Sequence, residues 1–225
     1  MAFTALDVKK LREMTNVGMM DCKKALQATD GDMDAAVDWL REKGLAKAAK
    51  KADRVAAEGV AYAAVVNGIG VVIEVNSETD FAAKTDAFMD LVKNLAVVVA
   101  TENPADVDAL KACKYPGSNL TVTEIMQEKV MSIGENLQIR RFARFDKNTT
   151  VSYVHAGGKI GVLVNLKVEG DIDATAVGKD VAMQIAALNP RFWDKSQVSQ
   201  DVLDEEKKIM MVQMENDPKM ANKPE

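Results

Sequence analysis

Residues 62–73 and 153–164 carry one pattern twice. Tyr62 and the run Ile69-Gly70-Val71-Val72-Ile73 return 91 positions later as Tyr153 and Ile160-Gly161-Val162-Leu163-Val164. A repeat constrains a fold more than local propensity does, because each copy must be one supersecondary unit that packs in a similar way. In each copy two apolar runs flank a glycine-containing turn, Asn67-Gly68 in the first and Gly157-Gly158 in the second. Turns of that composition predict β-hairpins. Each hairpin leads to a segment that reads as a helix and ends at Asn-Pro, first Asn103-Pro104 and then Asn189-Pro190. The two hairpin-plus-helix units are expected to superpose, with Tyr62 over Tyr153 and Gly70 over Gly161. Residues 137–145 predict a third strand for the first unit, with Leu137, Ile139 and Arg141 on one face. The second unit has no counterpart of that strand.

Ahead of the repeat, residues 4–44 read as three short helices. Val8, Leu11 and Met14 share a face of the first, and Asn16-Val17-Gly18 breaks it. The second begins at Met19-Met20. Asp32 is placed to cap the third, Ala36, Val37 and Leu40 face inward, and Gly44 is expected to close it. The unit resembles a ubiquitin-associated bundle. Residues 45–54 are rich in Ala and Lys with little apolar face. They read as a solvated helical linker, expected to be mobile, or as a basic patch for an acidic partner. Past Phe192-Trp193, residues 201–215 form an amphipathic helix striped by Val202, Ile209 and Met210. Asp217-Pro218 turns the chain toward Lys223-Pro224-Glu225. Proline favours the first turn of a helix, so the sequence is expected to be cut short where a second helix begins. The stripe is a seam for that helix, or a route to self-association.

The fold class expected is therefore α+β: a three-helix bundle, two repeated β-hairpin/helix subdomains, and the start of a helical hairpin. The boundaries expected are 1–54 for bundle and linker, 55–146 for the first subdomain, 147–200 for an incomplete second one and 201–225 for the first hairpin helix.

Composition narrows the function. A net charge of −5 argues against a dedicated nucleic-acid binder. No apolar run is long enough to span a bilayer, and Met1-Ala2-Phe3-Thr4 does not begin a signal peptide. Cys22 and Cys113 are the two cysteines, and free thiols are expected for a cytosolic chain. With His155 as the one histidine, no His-rich metal cluster is available. Gly68-Ile69-Gly70 lacks the third glycine of a dinucleotide fingerprint and precedes its apolar run, so it reads as a hairpin turn.

The segment with most chemical interest is Glu74-Val75-Asn76-Ser77-Glu78-Thr79-Asp80-Phe81. A strand runs into a polar turn, then an acid and a large ring. Phe81 either folds back into the core or is offered to a partner. Asp80 is a candidate N-cap for the helix that follows. Glu78 and Asp80 leave open a second reading, a small-ligand or hydrolytic protein with paired carboxylates. Met19 and Met20 are adjacent on a helix, so both cannot face inward. His155 reads either as an ordinary strand residue or as part of a contact surface.

Four motifs, in order, resemble the bacterial elongation factor Ts family. They are Thr15-Asn16-Val17-Gly18-Met19-Met20-Asp21-Cys22-Lys23-Lys24-Ala25-Leu26, the segment from Glu74 to Lys84 around Thr79-Asp80-Phe81, Ile133-Gly134-Glu135-Asn136-Leu137-Gln138-Ile139-Arg140-Arg141, and Tyr153-Val154-His155 through Val164. Ser77 stands where the family often has cysteine, a departure expected to be neutral. The resemblance implies a non-enzymatic nucleotide-exchange factor for the GTPase elongation factor Tu, in the cytoplasm. It implies no cofactor of the chain's own, since GDP, GTP and Mg²⁺ belong to the partner, and no direct contact with nucleic acid or membrane. Thr79, Asp80 and Phe81 would then enter the partner beside its Mg²⁺ and nucleotide site. Met19 and Met20 would touch the GTPase domain, and His155 another domain. Burying one phenylalanine supplies roughly 1.5–3 kcal/mol. That corresponds to about one to two decades of coupling, so further contacts are needed for large acceleration.

Overall fold

The computed structural model describes residues 3–15 and 17–216, with the side chains of 45–49 outside the description. The expected Asp217-Pro218 turn and the Lys223-Pro224-Glu225 end lie outside the described residues. The architecture is α+β. Two compact units divide it, Met1–Ala186 and Ala187–Glu225.

In the larger unit, α1 (Ala5–Thr15), α2 (Met19–Ala28) and α3 (Met33–Lys51) form the bundle. Val8, Leu11, Cys22, Ala25, Leu26, Ala36 and Leu40 are buried together. Met14, expected on the inner face, is exposed. Asp32 caps α3 as expected, its carboxylate accepting from Ala35 N–H at 2.9 Å.

Gly44 does not close α3. The helix continues through it to Lys51, because the glycine is a point of approach rather than a stop. A β-carbon there would lie 2.3 Å from Met131 Sδ. Met131 belongs to α7 (Val122–Ile133) and packs on the bundle core, while Arg41 pairs with Glu128 at 3.0 Å. The linker is helical to Lys51, as expected, but it is the continuation of α3 and not a separate segment. Its far end is tied down: the Lys51 ammonium donates to Gly134 O, and Asn136 Nδ2 donates to Ala52 O and Arg54 O at 3.3 and 2.8 Å.

The first hairpin is β1 (Glu58–Val66) and β2 (Ile69–Ser77), antiparallel, with β3 (Gln138–Phe145) antiparallel on the far side of β2. Asn67 and Gly68 have φ of 51° and 82°, the paired left-handed conformation of a tight two-residue hairpin turn. Val71, Ile73 and Val75 alternate inward and are fully buried. Over them lies α5 (Asp86–Glu102), buried at Phe88, Leu91, Val92, Leu95, Ala96, Val98 and Val99, the stripe a helical period requires. Asn103 ends α5 in the left-handed conformation just before Pro104. A short α6 (Val107–Ala112) leads to α7, which opens on a capping box of Thr121 and Glu124.

β3 departs from strict alternation. A bulge opposite Glu74 and Val75 makes Glu74 pair with Arg141 and Val75 with Ile139. The extra residue, Arg140, reverses the phase. Arg141 is therefore exposed, Phe142 turns to the core instead, and both arginines reach Glu74, at 3.2 and 2.7 Å.

The second hairpin, β4 (Thr149–His155) and β5 (Ile160–Leu166), is also antiparallel and is followed by α8 (Thr175–Leu188). Asn189 again adopts a left-handed conformation before Pro190. The repeat is imperfect in register. Tyr62 pairs with Ile73, but Tyr153 pairs with Val162, because the second turn opens to four residues. The resulting slip is two residues, which preserves the face each side chain takes. The two sheets meet where the repeated glycines lie. A β-carbon at Gly70 would come 2.2 Å from Thr150 Cγ2, and one at Gly161 would come 2.7 Å from Ala61 O. The hairpin tip also joins the first sheet through Ala61 N–H donating to Gly158 O at 2.7 Å.

The smaller unit holds a 3-10 turn at Lys195–Gln197 and α9 (Gln200–Glu215), capped by Ser199. Leu203, Ile209, Met210, Met211 and Val212 are exposed along α9, and Trp193 is exposed ahead of it.

Candidate functional site

Past β2 the chain makes one turn of helix, α4 (Asp80–Ala83). Its cap is Thr79 and not Asp80: Thr79 Oγ1 accepts from Ala82 N–H at 3.2 Å. Asp80 is the first helical residue and pairs with Lys84 at 2.6 Å. A separate cap, Thr85, starts α5. Ala82 and Ala83 are buried against the sheet, whereas the Phe81 ring is 79% exposed. One turn thus anchors two methyl groups and points one phenylalanine outward.

That turn is pinned. Thr79 N–H and Oγ1–H both donate to the Glu135 carboxylate, at 3.0 and 2.6 Å. Glu78 Oε1 accepts from Asn136 N–H at 2.7 Å, and Arg54 lies 3.5 Å from its other oxygen. Buried Ser77 donates to Thr79 O at 2.9 Å. A cysteine at that position would be a weaker donor. Lys84 N–H and Thr85 Oγ1–H close the far end on the carbonyls of Phe81 and Ala82.

The Asn136 amide, then Arg54, holds the Glu78 carboxyl below its ordinary range. Asp80 is lowered chiefly by its bond to Lys84, with Lys159 contributing. Two carboxyls sharing a proton would drive one of them upward. Here both are lowered, each by its own donors, Asn136 and Arg54 for Glu78 and Lys84 for Asp80, and neither shows the upward shift of a shared proton. Among the described residues no group of three or more His, Cys, Asp or Glu is placed to hold a metal. Cys22 and Cys113 are free thiols.

Of the other candidates, Met19 and Met20 open α2 and both are exposed, at 47% and 64%. His155 ends β4, exposed, with Nδ1 2.9 Å from Tyr153 Oη. The hairpin beyond His155 comes near the turn: Lys159 pairs with Glu58 and its charge reaches Asp80. Thr79, Asp80 and Phe81 thus lie together on one turn, while Met19 and Met20 lie exposed on the bundle, apart from it in the chain. Reasoning from sequence missed Glu135 and Arg54. Glu135-Asn136 stood in a recognised motif, but nothing local shows that its carboxylate crosses to Thr79.

The family described as Elongation factor TS matches residues 78–225 of this chain. Curated relatives carry the same name. Elongation factor Ts of Pediococcus pentosaceus is 51% identical over 218 residues, which is 96% of this chain and 73% of that protein. That of Halothermothrix orenii is 47% identical over 223 residues, 97% of this chain and 75% of the relative. That of Trichlorobacter lovleyi is 50% identical over 219 residues, 93% of this chain and 70% of the relative.

Proposed function

This chain belongs to the elongation factor Ts family, and from that premise we propose that it binds elongation factor Tu and promotes release of GDP during translation elongation. The wedge is Phe81, with Asp80 and Thr79 beside it, entering near the partner's Mg²⁺ and nucleotide. The observation that carries this reading is a large ring 79% exposed on a helical turn whose neighbours are buried and whose cap is bonded twice to another segment. An apolar ring held rigidly in water has its use in a complex, where it is covered without first having to be ordered.

The mechanism is linkage and involves no covalent step. A factor that binds nucleotide-free GTPase more tightly than the GDP form weakens GDP by the same ratio that GDP weakens the factor. The ring contributes by displacing partner groups that hold the Mg²⁺ and phosphates. Met19 and Met20 offer adaptable apolar contact to the GTPase domain, and His155 contacts a further domain. GDP, GTP and Mg²⁺ remain the partner's ligands, and this chain supplies no cofactor. The working divisions are 1–54, 55–146, 147–200 and 201–225, the last offering its exposed apolar stripe for pairing. The test is release of a fluorescent GDP from elongation factor Tu. The wild-type chain accelerates it and Phe81→Ala does so weakly. Equal acceleration by both would remove the wedge from Phe81.

A further inference from the structure

We propose that Glu135 is a positioning residue for Phe81, holding the wedge at its working angle through the Thr79 hydroxyl. The inference rests on the reading of Phe81 given above. A four-residue helix cannot sustain itself, so α4 depends on its cap and its packing. The cap is one hydroxyl with one proton. The hydroxyl donates it to Glu135 Oε1 in a hydrogen bond of 2.6 Å, which leaves a lone pair of Thr79 Oγ1 for Ala82 N–H at 3.2 Å. Donating to a carboxylate also makes the hydroxyl a better acceptor. The second carboxylate oxygen binds Thr79 N–H at 3.0 Å, so one side chain sets both the backbone and the side chain of the residue two before Phe81.

Glu135 is itself held on both sides. Gly134 ends α7 at a φ of 90°, and its carbonyl accepts from Lys51. Asn136 is buried and binds Ala52 O and Arg54 O through its side chain and Glu78 through its N–H. The exchange is reciprocal: Glu135 reaches from the 134–136 turn to Thr79, and Glu78 reaches from the wedge loop back to Asn136. Three segments, 51–54, 77–80 and 134–136, are laced together. The end of α3 thereby connects the bundle to the orientation of the ring.

The test has two arms, both on the full chain. In the free protein, Glu135→Ala is expected to raise amide hydrogen exchange at Ala82 about tenfold with the melting temperature little changed, since the freed cap bond is local. With elongation factor Tu·GDP and saturating factor, the same variant lowers stimulated GDP release about tenfold. Combined with Phe81→Ala it adds no further loss, because it acts through the ring. Glu135→Gln keeps one acceptor for the hydroxyl and loses only about threefold. It also stands in for the alanine variant if that variant fails to fold. Losses that add independently in the double variant overturn the proposal, as does unchanged exchange at Ala82. If Phe81→Ala alone releases GDP at the wild-type rate, the wedge reading falls, and Ala82 exchange decides the clasp by itself.

Discussion

Replacing Phe81 by alanine separates a ring that builds the fold from a ring that serves a partner. About a fifth of the side chain is covered in the free protein, since 79% is exposed. Fully burying a phenylalanine is worth roughly 1.5–3 kcal/mol, so the covered fifth is worth about 0.3–0.6 kcal/mol. Alanine is the better helix former by about 0.5 kcal/mol, which nearly cancels that loss and leaves a melting shift under about 1 °C. Phe88, fully buried under β2, is the control. Phe88→Ala costs about 3–5 kcal/mol, which corresponds to roughly 6–20 °C. In the complex the order reverses. Covering the exposed part of Phe81 contributes about 1.2–2.4 kcal/mol, so Phe81→Ala slows stimulated GDP release roughly 8- to 60-fold. Thermal unfolding and fluorescent GDP release on the same preparation decide the matter. A melting drop like that of Phe88→Ala, with release preserved per folded molecule, refutes the reasoning and makes Phe81 a core residue.

The packing of the two hairpins is tested by Gly161→Ala, whose β-carbon would meet Ala61 O at 2.7 Å. Backbone cannot rotate away, so a loss of about 1–3 kcal/mol is expected by urea titration. Gly44→Leu pushes α3 off Met131 and should turn a protected 50–54 segment into an early tryptic site, whereas the wild-type chain resists cleavage there. The pH dependence follows from Glu78, whose carboxyl lies below its ordinary 4.5 because Asn136 N–H and Arg54 favour the charged form. A lowered folded value means the contribution is complete above the unfolded value and is lost as pH falls through the folded one. Urea midpoints should be level with respect to this group above about pH 5 and decline below it, and Glu78→Gln should make that acid decline shallower.

Much of the molecule was legible in one dimension. The repeated Tyr and Ile-Gly runs specified two hairpins, and Asn-Pro specified two helix ends, because turn chemistry and proline geometry act within a few residues. The period-3.6 pattern located the inner residues Val8, Leu11, Ala36 and Leu40 of the bundle for the same local reason. Where local rules failed, a distant segment had overridden them. Gly44 has the signature of a helix stop, yet α3 passes through it because Met131, remote in sequence, needs the space. Arg141 obeys alternation on paper, but a bulge opposite Glu74 reverses the strand's phase. Asp80 was as good a cap as Thr79 until Lys84 claimed its carboxylate and Glu135 oriented the threonine hydroxyl.

The sequence by itself determined that Phe81 follows a strand, stands beside ionised groups and belongs to a recognisable motif. It left open whether the ring is buried or exposed, since an apolar side chain after a strand suits either. Only the tertiary structure decided that, by burying Ala82 and Ala83 in place of Phe81 and by bringing Glu135 and Asn136 across to hold the turn. The physical reason is the range of the forces involved. Helix periodicity, turns and caps read neighbours a few positions away, whereas the direction of one exposed ring is set by hydrogen bonds between segments more than fifty residues apart.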